Sequence, residues 1–223
     1  METLSPPGGL APMVSPFLQS KIDATFPSTG GARCLKQPIM TQWRPQFEAA
    51  LEKLAEISSA MDELDLKPPI LVGGGAVELY TQGAVNTGDF DLVSTQQAAL
   101  ETIMMKHGFI RPSGPGVSTR GWIHPDLKLG FEVVGSRLLD GYADTSLLQM
   151  IEVEAHGTVA VISVEDLIAD RMGQYASGAA RDMLGQAKAL FTLSEGLDLH
   201  YMERRIREET AQTYGVQDLE DDA

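Results

Sequence analysis

Residues 70–93, ILVGGGAVELYTQGAVNTGDFDLV, constrain the fold more than any other stretch of this 223-residue chain. Ile70, Leu71 and Val72 form a short apolar run suited to a buried strand, and three glycines follow as a turn where backbone approaches another group closely. Residues 76–82 read as a helix packed behind that strand, and the chain returns in a second strand over 89–93. Side chains alternate along a strand, so Asp89, Asp91 and Val93 share one face while Phe90 and Leu92 share the other. Same-face neighbours sit roughly 6.5 to 7 Å apart, a spacing at which two carboxylates can hold divalent cations between them. Asp is depleted in strands, and two on one face repel unless a cation intervenes. A glycine turn that opens a helix adds free N–H groups and the positive end of a helix dipole, both of which favour phosphate. The two halves together describe a site for a metal-bound nucleoside triphosphate. The plainer alternative is a buried turn followed by a strand with two solvent-facing carboxylates.

Composition narrows the remaining classes. The length suffices for one substantial α/β domain with helical additions. With 43% hydrophobic residues and a mean hydropathy of −0.07, a folded soluble protein is expected, and no apolar run approaches the length of a membrane span. The proline- and glycine-rich start has neither the basic beginning nor the apolar stretch of a signal peptide, so a cytoplasmic location is expected. A single cysteine, Cys34, excludes an intramolecular disulfide framework and a cysteine-rich zinc site. The four histidines, His107, His124, His156 and His200, show no metal-ligand spacing. A formal charge of −14 argues against a broad basic surface for nucleic acid while leaving room for a local basic groove.

Along the chain, residues 1–37 are rich in Pro, Gly and Ser and read as an extended arm. Phe47, Leu51, Leu54, Met61 and Leu64 then repeat at helical spacing, with Pro45 near the first turn, and predict a helix of about five turns ending before Pro68. Ser94 or Thr95 caps a further helix that runs to His107 and closes at Gly108. Residues 111–118 read as a loop, and strands follow at 119–123 and 128–134 around a His124-Pro125-Asp126 turn. In the second of these, Lys128, Gly130, Glu132 and Val134 share one face. Residues 150–155 and 158–162 predict a hairpin turning at His156-Gly157. Ser163 begins a helix in capping-box style with Val164, Leu167, Ile168, Met172 and Tyr175 as its apolar stripe. Two more helices are predicted over 179–191 and 195–210, the last with Leu199, Met202 and Ile206 inside and a charged outer face from Glu203 to Glu209 that reads as solvated.

The order strand, Gly73-Gly74, helix, then Thr87-x-Asp89-x-Asp91 on a second strand resembles the DNA polymerase β-like nucleotidyltransferase superfamily. The similarity is to small bacterial branches that include AbiEii-type toxins and related nucleotidyltransferase-like proteins. It covers roughly residues 69–193. The resemblance implies an α/β fold of the nucleotidyltransferase type: a mixed twisted sheet flanked by helices, with a C-terminal helical segment. It divides the chain into the arm 1–37, a nucleotidyltransferase-like domain 38–193 that turns helical from 163, and a C-terminal helix with an acidic tail over 194–223. It further implies transfer of a nucleoside monophosphate from NTP to an acceptor that is RNA, protein or a small molecule. Asp89 and Asp91 would hold two Mg²⁺ ions, with Mn²⁺ as a substitute, and a third carboxylate from a neighbouring strand would complete the site. Glu132 is the leading candidate, with Asp126, Glu152 and Glu154 behind it. Gly73, Gly74 and Gly75 would turn N–H groups toward the phosphates, Thr87 would orient an aspartate, and Lys128 and Arg171 would contact nucleotide. The helical part is similar in its Glu-Asp-Leu-Ile segment, Glu165 to Ile168, though Arg171 stands where relatives carry Lys. Arg111, Arg120, Lys128, Arg137, Arg171 and Arg181 would line a groove for an RNA acceptor such as the end of a tRNA, and a toxin role would bring a cognate antitoxin protein as partner. A catalytically silent binding module in a partner complex is the competing expectation.

Overall fold

A computed structural model describes residues 43–112 and 121–220. The predicted arm, Arg120, most of the predicted 111–118 loop and the last three residues of the acidic tail lie outside the described residues. Helix α1 spans Pro45–Asp62, its first turn opened by a proline whose missing N–H costs nothing there. Its buried stripe of Phe47, Ala50, Leu51, Leu54, Ala55, Ile57, Ser58 and Met61 follows the helical period and packs on the sheet.

Strand β1 (Ile70–Val72) leads directly into α2 (Gly73–Tyr80), and β2 covers Asp89–Val93 as the alternation predicts. The predicted separate glycine turn is corrected: the glycines form the first turn of α2 itself, three residues earlier than the apolar spacing suggested. Helix α3 (Gln97–Lys106) begins at a Gln96 cap position without a side-chain cap, where Ser94 Oγ accepts from the Gln96 N–H at 3.1 Å instead. After α3, Ile110 and Ile123 form an isolated antiparallel bridge. Strands β3 (Trp122–Ile123) and β4 (Gly130–Gly135) follow. Lys128 stands outside the strand predicted for it, just past the 125–127 turn and at φ 57°. The hairpin β5 (Gln149–Val153) and β6 (Gly157–Val161) closes the sheet at the place the sequence predicts.

The six strands lie in the order β3-β4-β2-β1-β6-β5. Strand β2 runs antiparallel to β1 and parallel to β4, and β1 runs parallel to β6, so the sheet is mixed. Phe90, Leu92 and Phe131 are fully buried, and Phe90 stacks on Phe131 at 4.9 Å between ring centroids and meets Phe47 of α1 at 5.2 Å. That apolar contact seats α1 on one face of the sheet. The opposite face of β2 carries the aspartates, and the start of α2 meets Asp91.

Helices α4 (Val164–Ala176), α5 (Met183–Leu193) and α6 (Leu199–Glu209) form the C-terminal part, and α2 touches both α4 and α5. Ser163 Oγ caps α4 by accepting from the Asp166 N–H at 3.1 Å. The solvated face predicted for α6 is corrected at Arg205. Its Nε donates to Asp166 at 2.9 Å, the two side chains are 1% and 0% exposed, and Tyr201 Oη donates to the same carboxylate at 2.9 Å. A desolvated carboxylate needs such partners, and this one joins α6 to α4. Leu199, expected inside, is 52% exposed, and Tyr201 takes its place in the buried stripe. The i,i+4 pairs Glu203 with Arg207 and Arg204 with Glu208 form as the sequence predicts.

Candidate functional site

Strand pairing brings the candidate carboxylates together. Glu132 of β4 lies directly opposite Asp91 of β2, and Gly130 lies opposite Asp89. Neighbouring strands are about 4.8 Å apart, so Asp91 and Glu132 share one face as adjacent residues. On the other side of β2, Asp91 is opposite Val72, the last residue before α2. The three carboxylates therefore collect where β1 ends and where β2 and β4 begin. Asp89 is exposed, while Asp91 and Glu132 are half-buried.

The glycines explain how α2 approaches this cluster. Gly73 has φ 61°, and a Cβ on it would stand 1.9 Å from Asp91 Oδ2. A Cβ on Gly74 would stand 2.3 Å from Thr87 Oγ1. Gly73 leaves no room for a side chain, and one at Gly74 would displace the Thr87 hydroxyl. The Gly74 N–H lowers the Asp91 pKa, so a donor at the helix start that suits phosphate acts on Asp91. Gly75 faces Leu71 and the backbone of Asp89 and Phe90, where it serves close helix-strand packing.

Asp91 is held up to about pKa 6. Burial is the largest cause, the Asp89 charge adds to it, and Glu132 adds less, against the lowering effects of the Gly74 N–H and the Arg171 guanidinium. Arg171 on α4 thus acts electrostatically on the cluster. Its side chain is 7% exposed, one terminal nitrogen is 3.2 Å from Asp170, and the other donates to Met183 Sδ at 3.1 Å. Its Nε is buried with no hydrogen-bond partner.

Lys128 is exposed, two residues before the Gly130 that pairs with Asp89, at the same end of the sheet. Thr87 Oγ1 lies 3.0 Å from the Asp89 carbonyl oxygen and 3.4 Å from Asp89 Oδ1, which places it as a tether of that aspartate. The fallback carboxylates separate. Asp126 is exposed in the turn between β3 and β4, whereas Glu152 on β5 and Glu154 just beyond it are separated from β2 by β1 and β6. Arg181 is exposed ahead of α5, and Arg111 pairs with Glu101 at 3.0 Å with its guanidinium 5.0 Å from the centre of the Trp122 ring. The Glu-Asp pair of α4 serves the helices: Glu165 accepts from the Asp198 N–H at 2.9 Å and Asp166 holds Arg205. Among the described residues, no three His, Cys, Asp or Glu side chains gather closely enough to hold a metal ion in the orientations seen.

Two residues of this neighbourhood escape the spacing rules. Glu78, fully buried in α2, pairs with Arg44, and together they engage the backbone of Thr87. A lone Glu inside the otherwise apolar GGGAVELY segment was the available signal, since a buried carboxylate requires a partner. Arg44, distant in sequence, carried none.

No family model matches the chain, and no curated protein matches it in sequence. Among solved structures, the chain is similar to an antigenic nucleotidyltransferase-like protein from Paracoccidioides brasiliensis, with 13% identity and a TM-score of 0.49 over 76% of this chain and 89% of that one.

Proposed function

We propose that the chain is a metal-dependent nucleotidyltransferase that moves a nucleoside monophosphate from NTP to an acceptor and releases pyrophosphate. The observation that carries this reading is the environment of Asp91: a half-buried carboxylate pushed up to about pKa 6 between two further carboxylates, with a buried guanidinium nearby. The donor set fits a hard divalent cation, since all three ligands are carboxylate oxygens and their mutual repulsion is relieved by positive charge. Asp89, Asp91 and Glu132 would hold Mg²⁺ or Mn²⁺, which when bound neutralises triphosphate charge and activates an acceptor oxygen. Asp89, being exposed, can turn toward a ligand. Arg171, whose charge already acts on Asp91, would with Lys128 at the mouth hold the triphosphate. The acceptor is RNA, protein or a small molecule. A tRNA end as acceptor would make this a toxin-type enzyme answered by an antitoxin protein.

The experiment is incubation of the chain with α-labelled NTP in a cell extract, with and without Mg²⁺. Label should pass to a macromolecule or small acceptor only with the cation, and should be lost in Asp91→Asn and Glu132→Gln. Undiminished labelling by a folded Asp91→Asn variant would remove the assignment. A second reading, a nucleotide-binding module without catalysis, is favoured by one observation: Asp91 lies so close against the start of α2 that a Cβ on Gly73 would stand 1.9 Å from its Oδ2. Cation-dependent ATP binding by calorimetry without any label transfer would select that reading.

A further inference from the structure

We propose that Glu78 and Arg44 are positioning residues that hold the backbone before β2, and through it the carboxylate of Asp89, in place for cation binding; this rests on the metal reading above. Glu78 is fully buried on α2. Arg44 Nε donates to its Oε1 at 2.8 Å and Arg44 Nη2 to its Oε2 at 3.0 Å, a bidentate pair that fixes both side chains. The pair also grips Thr87 at both backbone polar groups. The Thr87 N–H donates to Glu78 Oε2 at 2.6 Å, and Arg44 Nη2 donates to the Thr87 carbonyl oxygen. Thr87 Oγ1 in turn accepts from the Asp89 N–H at 3.4 Å and lies 3.0 Å from the Asp89 carbonyl oxygen.

The connection between α2 and β2 needs this grip. It contains two residues at positive φ, Gln82 at 55° and Gly83 at 81°, and is exposed or half-buried from 82 to 89. Such a segment opens readily unless its backbone bonds are held. The exposed Asp89 would then lose its fixed start, whereas Asp91 and Glu132 remain set by the ladder between β2 and β4. An ion pair placed solely for stability would be replaceable by apolar residues. One that holds the N–H and carbonyl of the residue two positions before a ligand is tied to the site.

The test measures Mn²⁺ affinity by paramagnetic titration, and exchange of the Thr87 and Asp89 amides, in wild type, Glu78→Gln, Arg44→Lys and an Ile206→Ala control. Ile206 is fully buried on α6 and reports general loss of stability. The expected result is about tenfold weaker Mn²⁺ binding in Glu78→Gln and Arg44→Lys, with about 10- to 100-fold faster exchange confined to the 84–89 amides, as for a local opening. Ile206→Ala should keep wild-type Mn²⁺ affinity in its folded fraction. Wild-type affinity in a folded Glu78→Gln variant, or equal weakening in Ile206→Ala, would overturn the proposal. Absence of Mn²⁺ binding in wild type overturns the metal reading and this role with it. That result is distinguishable, because the exchange data still show whether the grip on Thr87 exists.

Discussion

Asp91 links burial, charge and function at a single residue. Its carboxyl is raised from an ordinary value near 3.8 to about 6, chiefly by burial and then by Asp89. Because the folded-state value lies above the unfolded one, the folded protein binds more protons between these two pH values, and stability falls as pH rises through that window. The cost is absent below about pH 4 and complete above about pH 6. Asp91→Asn removes the ionisation, so in the absence of divalent cation it should stabilise the fold above pH 6 by about 1 to 2 kcal/mol after allowance for partial exposure. Below pH 4 it should change nothing. Urea unfolding of both proteins at pH 3.5 and pH 7.5 measures the difference, and a gap independent of pH would show that Asp91 is not held in this state. Added Mg²⁺ should narrow the gap at pH 7.5 by stabilising wild type alone, since a ligand that binds only the folded form adds to its stability.

At the level of elements, α2 owes its start to the aspartate it rests against. Gly73 and Gly178 both have positive φ, 61° and 73°, but a Cβ on Gly73 meets Asp91 Oδ2 at 1.9 Å while one on Gly178 meets nothing within 4 Å. Gly178→Ala should therefore cost about 1 kcal/mol for backbone strain, and Gly73→Ala clearly more, about 3 kcal/mol, because β2 and α2 must move apart. Thermal unfolding of the two variants gives the comparison, and equal losses would mean that α2 does not press on Asp91. This contact also shows why some elements were legible in the sequence and others were not. The limits of β2 follow from strict alternation in DFDLV, while a neighbouring strand carrying Glu132 was expected only from the family resemblance. The start of α2 was hidden because a glycine run reads as a turn by intrinsic preference, and only the tertiary contact with Asp91 and Thr87 makes helix the better use of those residues. Arg205 was hidden for a similar reason. Within the run ERRIREE, local pairing favours a solvated reading, and nothing nearby announces that Asp166 waits 39 positions upstream.

For the whole molecule, charge decides what kind of acceptor the site can hold. The chain carries a formal −14, so an anionic ligand approaches against the general field and depends on groups close to the site. Of the basic residues expected to line an RNA groove, Arg171 and Lys128 stand at the end of the sheet with the carboxylates. Arg137 follows the opposite end of β4, and Arg111 is engaged with Glu101 and Trp122. Two phosphate contacts would release about two counterions, so the affinity for single-stranded RNA should fall with a slope no steeper than about −2 in log affinity against log salt. Fluorescence anisotropy with a labelled oligonucleotide between 50 and 200 mM salt, with Mg²⁺ held constant, measures this slope. A slope near −5 would require a basic surface other than the one at the carboxylates, and would take RNA recognition away from this site. A shallow slope with Lys128→Ala reducing it by about 1 would place one of the contacts at the turn before β4.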